Sequence, residues 1–274
     1  MTATPIGALI GRKTLIMGAL NVTPDSFYDG GAYLDSEKAF AHAKQLLADG
    51  ADILDVGGES TRPGAEPVSP AIEQARVLPV LERLQTLSSC VSIDTYHAET
   101  ARRALELGAV MVNDITALRG DPDMAGVIAE AGCYCLLMHM QGTPATMQRA
   151  PTYKDVVDDV CAFFEERVEW ALRAGIAEQQ IWLDPGFGFG KTVEHNLTLL
   201  RRLRDFKRFG FPLLIGTSNK STIGTVLGLP ANERMEGTAA TVAIAIWNGA
   251  DAVRVHDVKT MGRVARMTDA MLGR

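Results

Sequence analysis

An α/β fold of the single eight-stranded (β/α)8 TIM-barrel type is predicted by three features of this sequence. Eight short apolar runs recur along 274 residues, helix-like segments separate most of them, and almost every run ends in one isolated polar residue. In a β/α barrel the active face is formed at the C-terminal ends of the strands, so polar tips on successive strands converge on one pocket. The pattern therefore predicts an enzyme.

The elements follow in order. Leu15 to Leu20 ends at Asn21, Ala51 to Leu54 at Asp55, and Val91 to Ile93 at Asp94. Val110 to Val112 ends at Asn113 and Asp114, and Tyr134 to Met138 at His139. Ile181 to Leu183 ends at Asp184, Pro212 to Ile215 leads to Ser218 and Lys220, and Ala252-Val253 leads to Arg254 and His256. Strands are thus predicted at 14–20, 51–56, 90–94, 110–113, 134–139, 181–184, 212–216 and 251–254. Helices fill the gaps. From Ser36 to Asp49, Ala39, Phe40, Ala43, Leu46 and Leu47 keep a helical period, and Gly50 suits the position just past its end. Ser69 caps a helix that carries Pro70 in its first turn. Asp155 to Ala174 is the longest helical pattern. Three loops on the predicted active face, Asn21–Gly31, Gly57–Pro67 and Gln141–Pro151, are rich in Gly, Pro and polar residues, as functional loops are. No linker or composition break divides the chain. Residues 1–274 read as one domain, with 1–12 as an N-terminal extension.

Hydrophobic residues make up 47% and charged residues 22%, a balance that excludes disorder. A net charge of −6 argues against a nucleic-acid partner. No apolar run approaches the ~18 residues of a membrane span, and Met1 to Arg12 lacks a signal-peptide pattern. Cys90, Cys133, Cys135 and Cys161 lack zinc-site spacing and read as buried thiols, which fits a reducing cytoplasm.

Asp184 opens Asp184-Pro185-Gly186-Phe187-Gly188-Phe189-Gly190-Lys191. A carboxylate followed by glycines meets a ligand at close backbone range, although such an Asp also serves to cap the next helix. The run lacks P-loop spacing. Asp94 and Asn113 add a carboxylate and an amide to the same rim, a donor and acceptor set that suits an aminopyrimidinone ring. Asp55 reads either as a ligand contact or as an interior brace for Asn21 or Lys220. Lys220, Arg254 and His256 supply positive charge on the last two strands, where β/α barrels often bind phosphate. Arg254 and His256 alternate at strand spacing and so share a face. Asn21 offers a carbonyl oxygen to Mg²⁺, which takes few protein ligands. His42 and His195 read as surface residues, His97 as a helix start, and His139 as a pocket-floor residue or core histidine. Nothing suggests a covalent nucleophile.

These segments resemble the dihydropteroate synthases, a pterin-binding enzyme family. The likeness is carried by Asn21-Val22-Thr23-Pro24-Asp25-Ser26-Phe27 with Asp29-Gly30-Gly31, and by Asp55-Val56-Gly57-Gly58-Glu59-Ser60-Thr61-Arg62-Pro63-Gly64. It continues through Ser92-Ile93-Asp94-Thr95, Val112-Asn113-Asp114, Met138-His139-Met140-Gln141-Gly142, Leu183 to Phe189, and Arg254-Val255-His256-Asp257-Val258. The resemblance implies condensation of 4-aminobenzoate with (7,8-dihydropterin-6-yl)methyl diphosphate, with release of diphosphate, in folate biosynthesis. It implies a pterin held by Asp94, Asn113, Asp184 and Lys220, and Mg²⁺ at Asn21. It places Thr61, Arg254 and His256 near the diphosphate, and Phe27, Pro63, Thr61 and Ser218 around the aminobenzoate. Asp94, Asp184, Lys220, Arg254 and His256 are then the catalytic set. A sulfonamide target and a cytoplasmic homodimer joined through late helices are also implied.

One position departs from the family pattern. Ser218-Asn219-Lys220-Ser221 stands where the family commonly has Ser-Arg-Lys-Ser, so one cation is missing near the aminobenzoate carboxylate. Arg62, or the Ser221 backbone N–H at a helix start, is the expected substitute. Two rival readings remain open: a pterin-binding paralogue without synthase activity, and a corrinoid-linked methyltetrahydrofolate methyltransferase.

Overall fold

The computed structural model describes residues 6–23, 32–62, 64–87 and 89–274, with the backbone alone at 32–35. Eight parallel strands alternate with helices. They are β1 (Leu15–Asn21), β2 (Ile53–Gly57), β3 (Cys90–Asp94), β4 (Met111–Asp114), β5 (Tyr134–Met138), β6 (Ile181–Asp184), β7 (Leu214–Ile215) and β8 (Ala252–Val255). The helices are α1 (Ala32–Ala48), α2 (Pro70–Leu84), α3 (Ala98–Glu106), α4 (Met124–Ala131), α5 (Val156–Arg173), α6 (Val193–Arg201), α7 (Ser221–Leu227), α8 (Met235–Trp247) and α9 (Val258–Leu272).

The strands pair in the order β6-β5-β4-β3-β2-β1-β8-β7. A parallel bridge between Leu183 and Leu213 joins the two edges and closes the barrel. Strand seven is shorter than its apolar run suggests. Pro212 has no N–H to give to a ladder, and its carbonyl accepts from Leu183 at 3.0 Å instead. The predicted Ser69 cap holds, and Asp155 caps the longest helix in the same way. Ser69 Oγ accepts from Ile72 N–H at 3.4 Å, and Asp155 Oδ1 accepts from Val157 and Asp158 N–H at 2.9 and 3.0 Å.

Strand alternation divides the barrel into layers. Inward at the lower level sit Leu15, Met17, Ile53, Met111, Leu136, Trp182, Leu214 and Ala252, one apolar cluster. Outward residues of the same strands, among them Ile16, Leu54, Val91, Val112, Leu137, Leu183 and Val253, pack under the helices. On four of the strands the chain turns inward again two residues higher, and there it becomes polar: Asp55 above Ile53, Asn113 above Met111, Asp184 above Trp182 and Arg254 above Ala252. One periodicity thus builds both the apolar plug and the polar floor above it.

The predicted N-terminal extension has a structural use. Ile6 is buried against the lower plug, and Gly7 N–H donates to Tyr134 Oη at 3.3 Å. At the chain's other end, Asp269 of α9 accepts from the Thr14 N–H and hydroxyl, both at 2.7 Å, and so ties the last helix to the start of β1. Ile6→Ala empties the bottom of the barrel. It is expected to lower stability by about 2 to 5 kcal/mol in urea denaturation, the usual range for such a truncation, while leaving substrate KM values unchanged.

Candidate active site

The polar floor is one connected network. Arg254 Nε donates to Asp55 Oδ2 at 2.6 Å, and its Nη2 donates to Asp94 Oδ2 at 3.0 Å. Asn113 Nδ2 donates to the same Asp55 oxygen at 3.0 Å. Asp55 is fully buried and serves as an interior brace. Its partners are Arg254 and Asn113, however, and not the expected Asn21 or Lys220. Those two contacts come from residues on β4 and β8, which the alternation points inward at the same height.

Two carboxylates share this one guanidinium in a dry place. Burial first, then Asp55, lifts the Asp94 pKa far above the ordinary carboxylate range, against the pull of Arg254. The Asp184 pKa is also raised by burial, opposed by Lys220, by the Gly186 N–H and by Lys191. That N–H donates to Asp184 Oδ1 at 2.7 Å. Lys220 leans over the Asp184 loop. It donates to the Phe187 carbonyl, and its Nζ stands 4.4 Å from the centre of the Phe189 ring. Burial lowers its pKa to about 8, offset by Asp184.

The structure brings Asp94, Asn113, Asp184, Lys220 and Arg254 together at the barrel mouth, as the sequence predicts. Ser218 is buried, with its hydroxyl 3.0 Å from His256 Nδ1. His256 differs from expectation in charge. Desolvation of its ring, then Arg254, Arg62 and Lys220, lower its pKa to about 4, a shift that favours the neutral ring; the residue is exposed at the end of β8, where solvent weakens the first of these causes. Asn21 stands half-buried at the tip of β1. Phe27 and Pro63 lie outside the described residues, as does most of the first loop.

Loop two is fixed at its base. Arg76 Nη1 donates to the Gly58 carbonyl at 2.7 Å, and Tyr96 Oη donates to Glu59 Oε1 at 2.6 Å. Thr61 and Arg62 follow; Thr61 is half-buried and Arg62 exposed. Gly64 N–H then donates to the Pro144 carbonyl at 3.0 Å, which joins loop two to the third loop. A cavity of about 370 Å³ opens between these loops and the β4–α4 connection, lined in part by Glu59, Tyr96, Ile115, Arg119 and Met140. It lies beside the polar floor, whose carboxylates are absent from its lining.

Asn219 has a left-handed backbone, φ 58°. Asn enters that region more readily than most residues. Its N–H donates to Thr238 Oγ1 at 3.2 Å and its carbonyl accepts from Arg234 at 2.9 Å. The turn that presents Lys220 is therefore held by backbone contacts and stays intact without the family's usual Arg. Ser221 begins α7, a helix of seven residues.

Sequence reasoning gave no role to Asp114. This buried carboxylate accepts from the Thr116 N–H and hydroxyl at 2.7 Å and from Leu118 N–H at 2.9 Å. It holds a turn in which Ala117 and Leu118 both have positive φ. Arg167 of α5 donates to the Ala117 carbonyl at 2.9 Å from behind. The signal was present in the Asn113-Asp114 pair: strand alternation makes one residue face the site, and its neighbour must then satisfy the loop.

The comparisons with known proteins agree with this geometry. The family model described as pterin binding enzyme matches residues 17–256. The dihydropteroate synthase of Bacillus subtilis is 49% identical over 264 residues, covering 96% of this chain and 90% of that protein. The crystal structure of a Clostridium difficile dihydropteroate synthase in the presence of pteroic acid superposes with a TM-score of 0.92 at 46% identity, covering 97% of this chain and 99% of that one. A Xanthomonas albilineans dihydropteroate synthase with 4-aminobenzoic acid gives 0.90 at 41% identity, with 96% and 94% covered.

The raised pKa means that the folded protein binds a proton at Asp94 more tightly than the unfolded chain does. This group therefore makes stability fall as pH rises from the ordinary carboxylate range toward neutrality. Asp94→Asn, a close match for the neutral acid, is expected to flatten that slope in urea unfolding across a pH series. An unchanged slope would show that Asp94 is ionised throughout.

Proposed function

We infer that this chain, which belongs to the pterin binding enzyme family and within it to the dihydropteroate synthases, condenses 4-aminobenzoate with (7,8-dihydropterin-6-yl)methyl diphosphate to give 7,8-dihydropteroate and diphosphate. The observation that carries this reading is the Asp55–Arg254–Asp94 network with Asn113 and Asp184 on one rim. A ring with adjacent N–H donors and a carbonyl satisfies such a set, and an analogue lacking those groups leaves buried polar atoms unpaired. The two rival readings lose their support. The turn around Asn219 that motivated an inactive paralogue is intact, and the relatives 49% and 47% identical over nearly the whole chain are dihydropteroate synthases.

The proposed roles follow the geometry. Asp184 accepts from the pterin ring N–H and its exocyclic amine, with Asp94 and Asn113 beside it. Lys220 donates to ring acceptors over Phe189. Thr61, Arg254 and His256 face the diphosphate, with His256 as a neutral donor. Phe27, Pro63, Thr61 and Ser218 border the aminobenzoate, and Arg62 supplies the cation nearest its carboxylate.

The arylamine is a weak nucleophile, so direct displacement is slow. The bond between the pterin methylene carbon and the diphosphate oxygen breaks first, and its electron pair leaves with diphosphate. The cation left behind is delocalised into the reduced ring and faced by Asp184 and Asp94. The amine lone pair then forms the C–N bond, and the amine, made acidic by attack, releases a proton to water. Catalysis is electrostatic preorganisation. Loops one and two close over the site and keep water from the cation.

Asn21 suits Mg²⁺: it offers an amide oxygen from a half-buried residue at a strand tip, and this ion keeps few protein ligands. When bound, Mg²⁺ neutralises the leaving diphosphate. The full chain acts as one domain in the cytoplasm. It pairs with a second copy through α7, α8 and α9, which carry Val226, Leu227, Met235, Ile244, Trp247, Met267 and Met271, seven of the ten large hydrophobic residues left exposed among those described.

Diphosphate release that depends on aminobenzoate and yields dihydropteroate is the expected result of a coupled assay with Mg²⁺. Release at the same rate without the amine would overturn the reading. Asp184→Asn should weaken binding of the pterin ring, whereas Asn21→Ala should weaken only the Mg²⁺-dependent part of diphosphate binding. Equal losses by calorimetry would contradict that division. Ile244→Glu with Trp247→Glu should halve the mass seen by sedimentation.

A further inference from the structure

Lys191 has no role in the reaction as derived so far, yet its side chain is the most fully enclosed cation described. It lies beneath the Asp184–Gly190 loop at 3% exposure. Its Nζ donates to the Gly186 carbonyl at 2.9 Å and the Phe189 carbonyl at 3.0 Å, and stands 2.9 Å from His139 Nδ1. These partners are neutral. Burying an ammonium without a carboxylate partner is costly, and burial accordingly drives its pKa well below the ordinary lysine value.

Two of these partners are carbonyls, which only accept. The third, His139 Nδ1, donates or accepts according to its tautomer, and burial, then Lys191 and Arg119, push the His139 pKa down to about 2. The three contacts are met in either charge state: an ammonium donates to all three, and a neutral amine donates to the two carbonyls and accepts from an Nδ1–H.

These contacts have a mechanical consequence. The loop lies flush on the end of β5: a Cβ at Gly186 (φ +68°) would fall 1.9 Å from the His139 carbonyl, and one at Gly190 (φ +64°) 2.7 Å from the Gln141 carbonyl. Lys191 fastens the layers together from below. From above, the same loop presents the Asp184 carboxylate, the Phe187 carbonyl that receives Lys220, and the Phe189 ring beneath the Lys220 ammonium.

We infer that Lys191 is a positioning residue for pterin binding, whose buried side chain fixes the Asp184–Gly190 loop to the end of β5 and so sets the relative placement of Asp184, Phe189 and Lys220. The inference rests on the pterin reading above. It assigns Lys191 no contact with substrate; aminobenzoate, which approaches from loops one and two, is predicted to be indifferent to it.

The test compares Lys191→Met and Lys191→Gln with the parent protein in two measurements. Calorimetry reads affinity for the pterin methyl diphosphate, and steady-state assays read both KM values. Lys191→Met is expected to lose about tenfold in pterin affinity, the scale of one buried tether, with the aminobenzoate KM unchanged. Lys191→Gln keeps two N–H donors and should recover part of the loss. It carries the same comparison should the Met variant fail to fold. Undiminished pterin affinity in both variants overturns the inference. So does a parallel loss of both substrates, the mark of a merely structural residue. Parent-protein turnover is the separate control: its absence would sink the synthase reading, while the calorimetric comparison still decides the role of Lys191.

Discussion

The shared hold of Arg254 on Asp55 and Asp94 is the interaction on which the rest of the site depends. Three strands meet there: β2 supplies Asp55, β3 supplies Asp94 and β8 supplies Arg254. Two carboxylates this close in a dry barrel repel each other, and one guanidinium cannot fully compensate both. Excess buried charge favours the protonated form, and the Asp94 pKa is raised accordingly. A buried ion pair is a poor source of stability, and replacing it with hydrophobes often does no harm. Its presence is better explained by what it does to a ligand. It holds a carboxyl group of Asp94, a carboxylate of Asp55 and the Asn113 amide on one rim of the barrel mouth.

Around that centre the loops are held mostly from behind. Asp114 gathers N–H groups and a hydroxyl of the β4–α4 turn, Arg167 caps its carbonyls, and Lys191 gathers the carbonyls of the Asp184 loop. Each supporting group is ionisable and buried, and each meets chiefly backbone. Such contacts fix a loop's path without fixing the side chains it presents. The inward faces of Asn113, Asp184 and Phe189 are thereby left for the ligand. This separation of supporting from presenting groups lets a rigid scaffold carry a strained turn such as Ala117-Leu118 at small cost to the rest.

Most of the barrel was legible because one rule, strand alternation, acts locally. Ile53 and Asp55, or Trp182 and Asp184, announce an inward hydrophobe and an inward polar tip within three residues. Strand seven was legible as an apolar run but not in length, since its shortness depends on a pairing with Leu183 that lies far off in sequence. The floor residues were legible singly. Their partners were not: that Asp55 meets Arg254 across 199 positions is a property of barrel closure. The charge of His256 was misread for the same reason. A histidine beside Arg254 looks like part of a cationic cluster in one dimension, whereas in three dimensions desolvation, and then the neighbouring cations, lower its pKa. Lys191 ended a recognised motif, but nothing local distinguishes a buried lysine from a solvated one.

Asn219 shows how a local departure can matter less than its chemistry suggests. Read as a string, Asn in place of Arg removes a positive charge next to Lys220. Read as backbone, the position demands a left-handed residue between Ser218, whose hydroxyl meets His256, and Lys220, which arches over Phe189. The fold fulfils that demand through Thr238 and Arg234, which bind the N–H and carbonyl of residue 219 whatever its side chain. Asn also meets the φ requirement at lower strain than Arg. The exposed side chain reaches only the outer rim, where a lost charge is screened by solvent. The turn that presents Lys220 thus keeps its geometry, because backbone contacts and not the side chain of residue 219 hold it.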